Sequence, residues 1–330
     1  MLYYLQINRV FKEINMFDRE LQIDLHTHST ASDGSDSPVE LVQNAVNAGL
    51  DAVALTDHDT VAGLPDFLTA AQANGLCGIP GVELSSHFEK HEIHIVGLFI
   101  DPENKALNDL LEERRADRLR RNLDIIRKFQ ENGYDITEEE VIRASGGESI
   151  GRPHIARVLV EKGYFPDLQT VFQRYIGNWR PYYVPRTPLS PETAILAVKR
   201  AGGLAIWAHP MLCVDRRPAL IRLLKIFRYA GLDGLETYYS MYSAGQTRMA
   251  QEAARELSLM ESGGSDYHGK NHPNISLRTG GGELHVPGEF LVRMMKRKGY
   301  KMDFGGKKWS QLSDLNQRPA DYKSAALPLS

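Results

Sequence analysis

Short apolar runs alternate with amphipathic stretches along most of the chain. Gln22-Ile23-Asp24-Leu25 predicts a strand that runs straight into the polar segment His26 to Ser37. Pro38 then opens a helix with apolar positions at Val39, Leu41, Val42, Ala45, Val46 and Ala48. Gly49 ends it, as glycine commonly does. Asp51 to Leu55 predicts a buried strand followed by polar residues Thr56 to Thr60. A helix over Leu64 to Asn74 comes next, then strands over Leu76 to Val82 and Ile93 to Ile100. This βαβα rhythm predicts a parallel sheet covered by helices. Polar residues gather just beyond the strands, where α/β barrels and open α/β sheets keep their active sites.

The rhythm breaks near Asp101. Lys105 to Gln130 predicts a long, heavily charged helix with Leu119, Leu123 and Ile126 at helical spacing. Its arginines, from Arg114 to Arg127, are interleaved with Glu112, Glu113, Asp117 and Asp124, which predicts a solvated charged face rather than a track for RNA. Shorter helices are predicted over Glu138 to Ala144, Pro153 to Glu161 and Leu168 to Tyr175. Trp179 to Pro191 carries four prolines and predicts an extended linker, on which Tyr182 and Tyr183 either pack or stack on a base. Alternation then returns, with helices over Pro191 to Ala201, Leu220 to Tyr229 and Ala244 to Leu257. Strands are predicted over Leu204 to Trp207, Gly234 to Glu236 and Leu259 to Glu261. The expected organisation is an N-terminal extension (1–20), a barrel (21–101 and 189–299), a helical insertion that binds substrate (102–188) and an irregular tail (300–330) without periodicity.

Composition narrows the function classes. The 330 residues are 42% hydrophobic and 25% charged, an ordinary globular balance, with a net charge of -3. A large basic surface for nucleic acid is not expected. Two cysteines, no secretory signal and no long apolar run predict a soluble cytoplasmic protein without a disulfide framework.

The chemistry lies in the histidines. Five of the 11, His26, His28, His58, His209 and His268, fall where predicted strands end. In an extended segment residues i and i+2 point the same way, so His26 and His28 can face one ion. Asp33 follows in a turn, and later strands offer Glu83, His94 (with His91 as a competitor) and Asp266. Each piece alone is weak; the series along one rim is strong. Nitrogen and oxygen donors without a thiolate suit zinc, manganese or iron. Their number suits two or three ions, as in-line displacement at phosphorus uses. Asp24, Asp57 and Asp59 are expected to orient imidazoles rather than bind metal, Asp57 foremost because it adjoins His58. Arg152 and His154, at a helix start opened by Pro153, predict a phosphate site. Arg157 and Lys162 are expected only to solvate that helix.

The ordered set His26-x-His28, Asp33-Gly34, Thr56-Asp57-His58-Asp59, Pro80-Gly81-Val82-Glu83, Glu92-x-His94, Ala208-His209-Pro210 and Ser265-Asp266-x-His268 resembles the PHP (polymerase and histidinol phosphatase) family over roughly Ile23 to His285. The resemblance implies an α/β fold, a distorted seven-stranded (β/α) TIM-like barrel with a helical insertion domain. It implies nine metal ligands, His26, His28, Asp33, His58, Glu83, His94, His209, Asp266 and His268, holding two or three divalent ions, manganese first and zinc or iron otherwise. Gly151-Arg152-Pro153-His154 resembles the insertion motif of a subfamily of 3′,5′-nucleoside bisphosphate phosphatases and 5′→3′ exoribonucleases. It implies a phosphoesterase that uses a metal-bound hydroxide on a nucleotide or short RNA, with no membrane and no obligate protein partner. A histidinol-phosphate phosphatase and a non-catalytic metal- or nucleotide-binding module are the competing expectations.

Overall fold

The computed structural model describes residues 20–145, 151–185 and 189–300. Nearly all of the expected extension (1–20) and tail (300–330), and residues 186–188 of the expected linker, lie outside them. Seven strands form one sheet in chain order: β1 (Ile23–Asp24), β2 (Ala52–Leu55), β3 (Cys77–Phe88), β4 (His91–Leu98), β5 (Leu204–Trp207), β6 (Gly234–Tyr239) and β7 (Met260–Gly264). The ends meet through backbone bonds from Leu25 N to Gly263 O (3.2 Å), Asp266 N to His26 O (2.9 Å) and His28 N to Tyr267 O (2.9 Å). The sheet is therefore a nearly closed barrel.

The expected all-parallel order fails at one strand. β4 runs antiparallel to both β3 and β5, while the remaining neighbours are parallel. A parallel partner for β3 would need a crossover of a dozen or more residues. Only Glu89 and Lys90 separate the strands, and Glu89 takes a left-handed turn conformation (φ 54°). β3 accordingly continues to Phe88, past its predicted end at Val82.

Period-two alternation sorts the side chains. Ala52, Ala54, Cys77, Ile79, Val96, Leu98, Leu204 and Ile206 share one cluster in the barrel interior, closed at one end by Phe290, Leu291 and Met294 of helix Glu289–Arg297. Val53, Leu55, Val82 and Leu84 face outward onto the helices between strands, Pro38–Asn47, Leu64–Ala73, Pro191–Arg200, Arg217–Tyr229 and Ala244–Glu256. Ser37 and Ser243 start two of these with reciprocal capping boxes.

The long helix Lys105–Glu131 joins two cores. At about 1.5 Å per residue its 27 residues span roughly 40 Å. Leu107 and Leu111 pack into the helix layer of the barrel, whereas Ile125, Ile126 and Phe129 belong to a separate cluster. That cluster includes Val141 of Glu138–Ala144, Ile155 and Leu159 of Arg152–Glu161, and Phe165. Tyr182 packs on Phe129, ring centroids 4.6 Å apart. The middle of the helix, where the arginines lie, bridges the two. Arg114, Asp117, Arg118 and Arg121 are buried there, against the expected solvated face, while Glu112, Glu113, Arg115, Arg120 and Arg127 are exposed as expected. The predicted helix over Leu168 to Tyr175 is α-helical only at Leu168–Val171 and widens into a π-turn over Phe172–Ile176.

Candidate metal centre

The loops after β1, β2, β5 and β7, with the middle of the β3–β4 hairpin, converge at one mouth of the barrel. His26 and His28 follow β1, and their Nε2 atoms stand 3.1 Å apart. Gly264 lets β7 lie against His26: a Cβ there would lie 2.4 Å from His26 Cβ. His58 follows β2 and bridges to Glu83. His209 follows β5 in a left-handed conformation (φ 33°), and Asp266 follows β7 likewise (φ 57°). Such backbone in non-glycine residues is sparsely populated and is found where surroundings enforce it.

Glu83 is the hub. Its Oε1 lies 2.9 Å from His94 Nδ1 and 3.0 Å from His209 Nε2. Its Oε2 lies 3.0 Å from His58 Nδ1, 3.3 Å from His26 Nε2 and 3.4 Å from His28 Nε2. On one side Asp266 Oδ1 stands 3.1 Å from His28 Nε2 and 3.4 Å from His26 Nε2. On the other, Asp33 Oδ1 stands 3.2 Å from His268 Nε2, and Asp33 Oδ2 stands 3.8 Å from His58 Nε2. All nine predicted residues thus stand together. Glu83 and His94 arrive from mid-strand rather than from strand ends, because β3 and β4 pair antiparallel and carry both past the rim. His94 faces the centre; His91 sits at the far end of the hairpin, opposite Phe88.

Burial and close charges shift the ionisation of this cluster in both directions. Burial works against a charged imidazole at His26, yet Glu236, Glu83 and Asp266 hold it well above its ordinary value. Burial and then the neighbouring His268 push His28 down to about 3. Burial resists ionisation of Glu83, but His58, His26 and His94 keep its carboxyl well below the usual range.

The donors fit divalent cations. Four overlapping groups, His28/Asp33/His58/His268, His26/Glu83/His209, His26/His28/Asp266 and His58/Glu83/His94, each hold their donor atoms within 4.8 Å of one another. A metal with nitrogen ligands at about 2.0–2.1 Å separates tetrahedral donors by about 3.3 Å, close to the spacings above. His28 Nδ1, His58 Nδ1, Glu83 Oε2, His94 Nε2 and His209 Nδ1 are buried without a well-aligned hydrogen bond. Buried polar atoms are ordinarily bonded. Each of these atoms belongs to a residue of one of the donor groups above.

The surroundings differ from expectation in three ways. Asp57 does not touch His58. Its Oδ1 accepts from Ser29 N (2.8 Å) and Ser32 Oγ (2.5 Å), and its Oδ2 accepts from Ser29 Oγ (2.7 Å). It holds the turn that delivers Asp33. Glu236 orients an imidazole instead, accepting from His26 Nδ1 (2.8 Å) and His209 N (2.7 Å). Sequence reasoning missed it, though its place in a predicted strand of the barrel was a usable signal. Arg157, expected to be solvated, bonds Ala144 O (3.1 Å) and Asn271 Oδ1, and Asn271 Nδ2 donates to Asp33 O (2.7 Å).

Other neighbours complete the rim. Tyr239 donates to Asp266 Oδ2 (2.8 Å). Asp24 Oδ1 accepts from Ser265 N (2.8 Å), and Asp24 Oδ2 from Arg278 N (3.0 Å). Arg118 donates to Asp59 Oδ2 (3.2 Å). Arg152 donates to Asn178 Oδ1 (3.1 Å), and its guanidinium stands 3.8 Å from Glu92, which lies 3.5 Å from His94 Nε2. His154 is buried, and its Nδ1 accepts the amide of Gly151 (3.0 Å). Burial, the largest cause, pulls it down to about 4.

Comparison with known proteins places the arrangement. The PHP domain model matches residues 24–179. A 5′-3′ exoribonuclease of Haemophilus influenzae is 37% identical over 245 residues, 74% of this chain and 89% of that protein. A 3′,5′-nucleoside bisphosphate phosphatase of Chromobacterium violaceum is 36% identical over 247 residues, 74% of this chain and 87% of that protein. A crystal structure from Bifidobacterium adolescentis, ascribed to a metal-dependent phosphoesterase, superposes with a TM-score of 0.75 at 30% identity, covering 87% of this chain and 99% of that one. No helix among the described residues is long and apolar enough to cross a membrane.

Proposed function

The chain belongs to the PHP domain family and is a metal-dependent hydrolase, and from that premise we propose that it hydrolyses a phosphate ester of a nucleotide. The substrate is a 3′,5′-nucleoside bisphosphate, losing its 3′-phosphate, or the 5′ end of a short RNA. The names of the two relatives support both forms. The observation that carries the reading is the meeting of a nitrogen and oxygen donor set fit for divalent ions with a helix start bearing Arg152 and His154.

In this reading His26, His28, Asp33, His58, Glu83, His94, His209, Asp266 and His268 hold two or three divalent ions, manganese first and zinc or iron otherwise. Such ions supply Lewis acidity and charge neutralisation suited to displacement at phosphorus. The remaining work belongs to the protein. His154 accepts at Nδ1, so its proton sits on Nε2 and faces a phosphate oxygen as a neutral donor. Low basicity keeps it neutral at pH 7. Arg152 offers a planar fork that matches phosphate oxygens. Asn178 and Glu92 hold that fork beside His94. Glu236 keeps the proton of His26 on Nδ1 and leaves Nε2 free to ligate.

The test is phosphate release from a 3′,5′-nucleoside bisphosphate with manganese, beside a chelated control, a 5′-phosphorylated RNA oligonucleotide and histidinol phosphate. Chelator-sensitive release from the nucleotide or stepwise shortening of the RNA supports the reading. Preferential release from histidinol phosphate, or full activity in a His26→Ala/His28→Ala double variant, overturns it.

A further inference from the structure

Directly after Asn178, which accepts a hydrogen bond from Arg152, stands an aromatic residue that packing does not explain. Trp179 is 81% exposed, while Trp207 is fully buried in the core. Burial of a large ring is strongly favourable, so a tryptophan left in water forgoes much of its stabilisation. Its backbone adds a second cost. Trp179 sits at φ 65°, in the left-handed region, where a bulky side chain is an outlier. Strain of this kind persists where the surroundings impose it, and it collects at functional sites.

The surroundings do impose it. Gly177 N donates to Phe172 O (2.8 Å), Arg180 N to Gly177 O (3.0 Å), Tyr182 N to Tyr175 O (2.9 Å) and Tyr183 N to Arg180 O (2.9 Å). These bonds tie both sides of the turn to the insertion's core. Asn178, immediately before Trp179, accepts from Arg152 (3.1 Å) and donates to Glu92 Oε2 (3.4 Å). The Trp179 Cα is therefore about 3.8 Å from that of a residue that touches the phosphate-binding arginine. Tyr183 lies with its ring centroid 6.0 Å from that of Trp179 and its plane tilted by 40°. The two rings do not stack face to face, and a face of the indole stays open.

We propose that Trp179 is a stacking platform for an unpaired nucleobase of the ligand whose phosphate Arg152 and His154 hold. An indole face beside a cationic phosphate site is the pairing that single-stranded nucleic-acid sites use, and it tolerates any base because every base has a π-face. The inference rests on the nucleotide reading above and adds the subsite that separates nucleotides from other phosphate esters.

The test separates the two ideas. Zinc-loaded protein is titrated with adenosine 5′-monophosphate and with ribose 5-phosphate, which keeps the sugar and phosphate but lacks the base. The emission of Trp179 is isolated by subtracting a Trp179→Phe variant. The nucleotide is expected to quench this emission and ribose 5-phosphate to leave it unchanged. Trp179→Ala should weaken nucleotide binding about tenfold, narrow the preference for the nucleotide over ribose 5-phosphate by the same factor, and be largely rescued by Trp179→Phe. Equal nucleotide affinity in wild type and Trp179→Ala, equal weakening of both ligands, or no nucleotide binding overturns the platform. Quenching by the nucleotide in a protein that releases no phosphate from any nucleotide supports the platform and refutes the catalytic reading.

Discussion

Glu236 Oε1 receives the Nδ1 proton of His26 at 2.8 Å while the other oxygen of the same carboxylate receives the backbone amide of His209 at 2.7 Å. One buried side chain on β6 thus orients donors delivered by β1 and β5. A carboxylate behind a ligating histidine sets its tautomer and raises its basicity, typically worth about 10–100-fold in metal affinity. Glu236→Ala should weaken metal binding by that factor in titration calorimetry. Glu236→Gln should fall between, since its carbonyl can serve His26 but its amide would face the His209 N–H donor to donor. Unchanged affinity in the alanine variant would show that His26 is held by other means.

Metal should stabilise the folded chain. A ligand that binds only the native state adds about 2.7 kcal/mol at 100 times its Kd. Manganese or zinc should raise Tm by several degrees and a chelator should reverse the rise. The His26→Ala/His28→Ala variant should lose the response; a full response there would place the ions elsewhere.

Arg118 and Asp59 form a buried ion pair at 3.2 Å, linking the long helix to the loop after β2. Removing one partner of such a pair typically costs about 3–5 kcal/mol because the other charge stays buried. Arg118→Met should approach that loss in urea unfolding, and Arg118→Met/Asp59→Asn should recover part of it. Additive losses would mean the two residues act separately.

Glu261 gives a pH dependence away from the centre. Burial pushes its carboxyl above the ordinary 4.5, only partly opposed by the hydrogen bond from Thr237 (3.0 Å). A raised folded value means that its stabilising contribution is complete below 4.5 and is lost as pH rises through the folded value. Glu261→Gln, which keeps an oxygen for Thr237, should therefore have the higher Tm at pH 7. The gap should close near pH 4; a gap that widens on acidification would contradict the assignment.

Gly264→Ala tests the closure of the barrel. The added methyl would sit 2.4 Å from His26 Cβ and 2.5 Å from His26 N. Neither β1 nor β7 can retreat without breaking the bonds that join them, so a loss at or above the usual overpacking cost of about 1–3 kcal/mol is expected. Metal affinity should fall with it, because His26 moves.

The helices and most strands were legible because their periodicity is local. Pro38 and Gly49 mark element ends through their own backbone chemistry. The metal-binding types were legible too, since His26-x-His28 needs only an extended segment to aim two donors together. Antiparallel β4 was not legible as such: strand direction depends on which edge a hairpin pairs with, and Glu83 looked like a strand end until eight residue pairs along β3 and β4 were in register. The burial of Arg114, Arg118 and Arg121 was also hidden, because a helix rich in both charges reads as solvated unless a second core packs against it. Glu236 holds the place behind an imidazole that was expected of Asp57, for a related reason. Adjacency in sequence put Asp57 next to His58, but the turn spends both of its oxygens on Ser29 and Ser32, whereas Glu236 reaches His26 across 210 residues. Residue type and spacing determined which chemistry this chain can perform. Closure of the barrel alone decided which groups stand behind each donor, because those contacts join segments that share no local pattern.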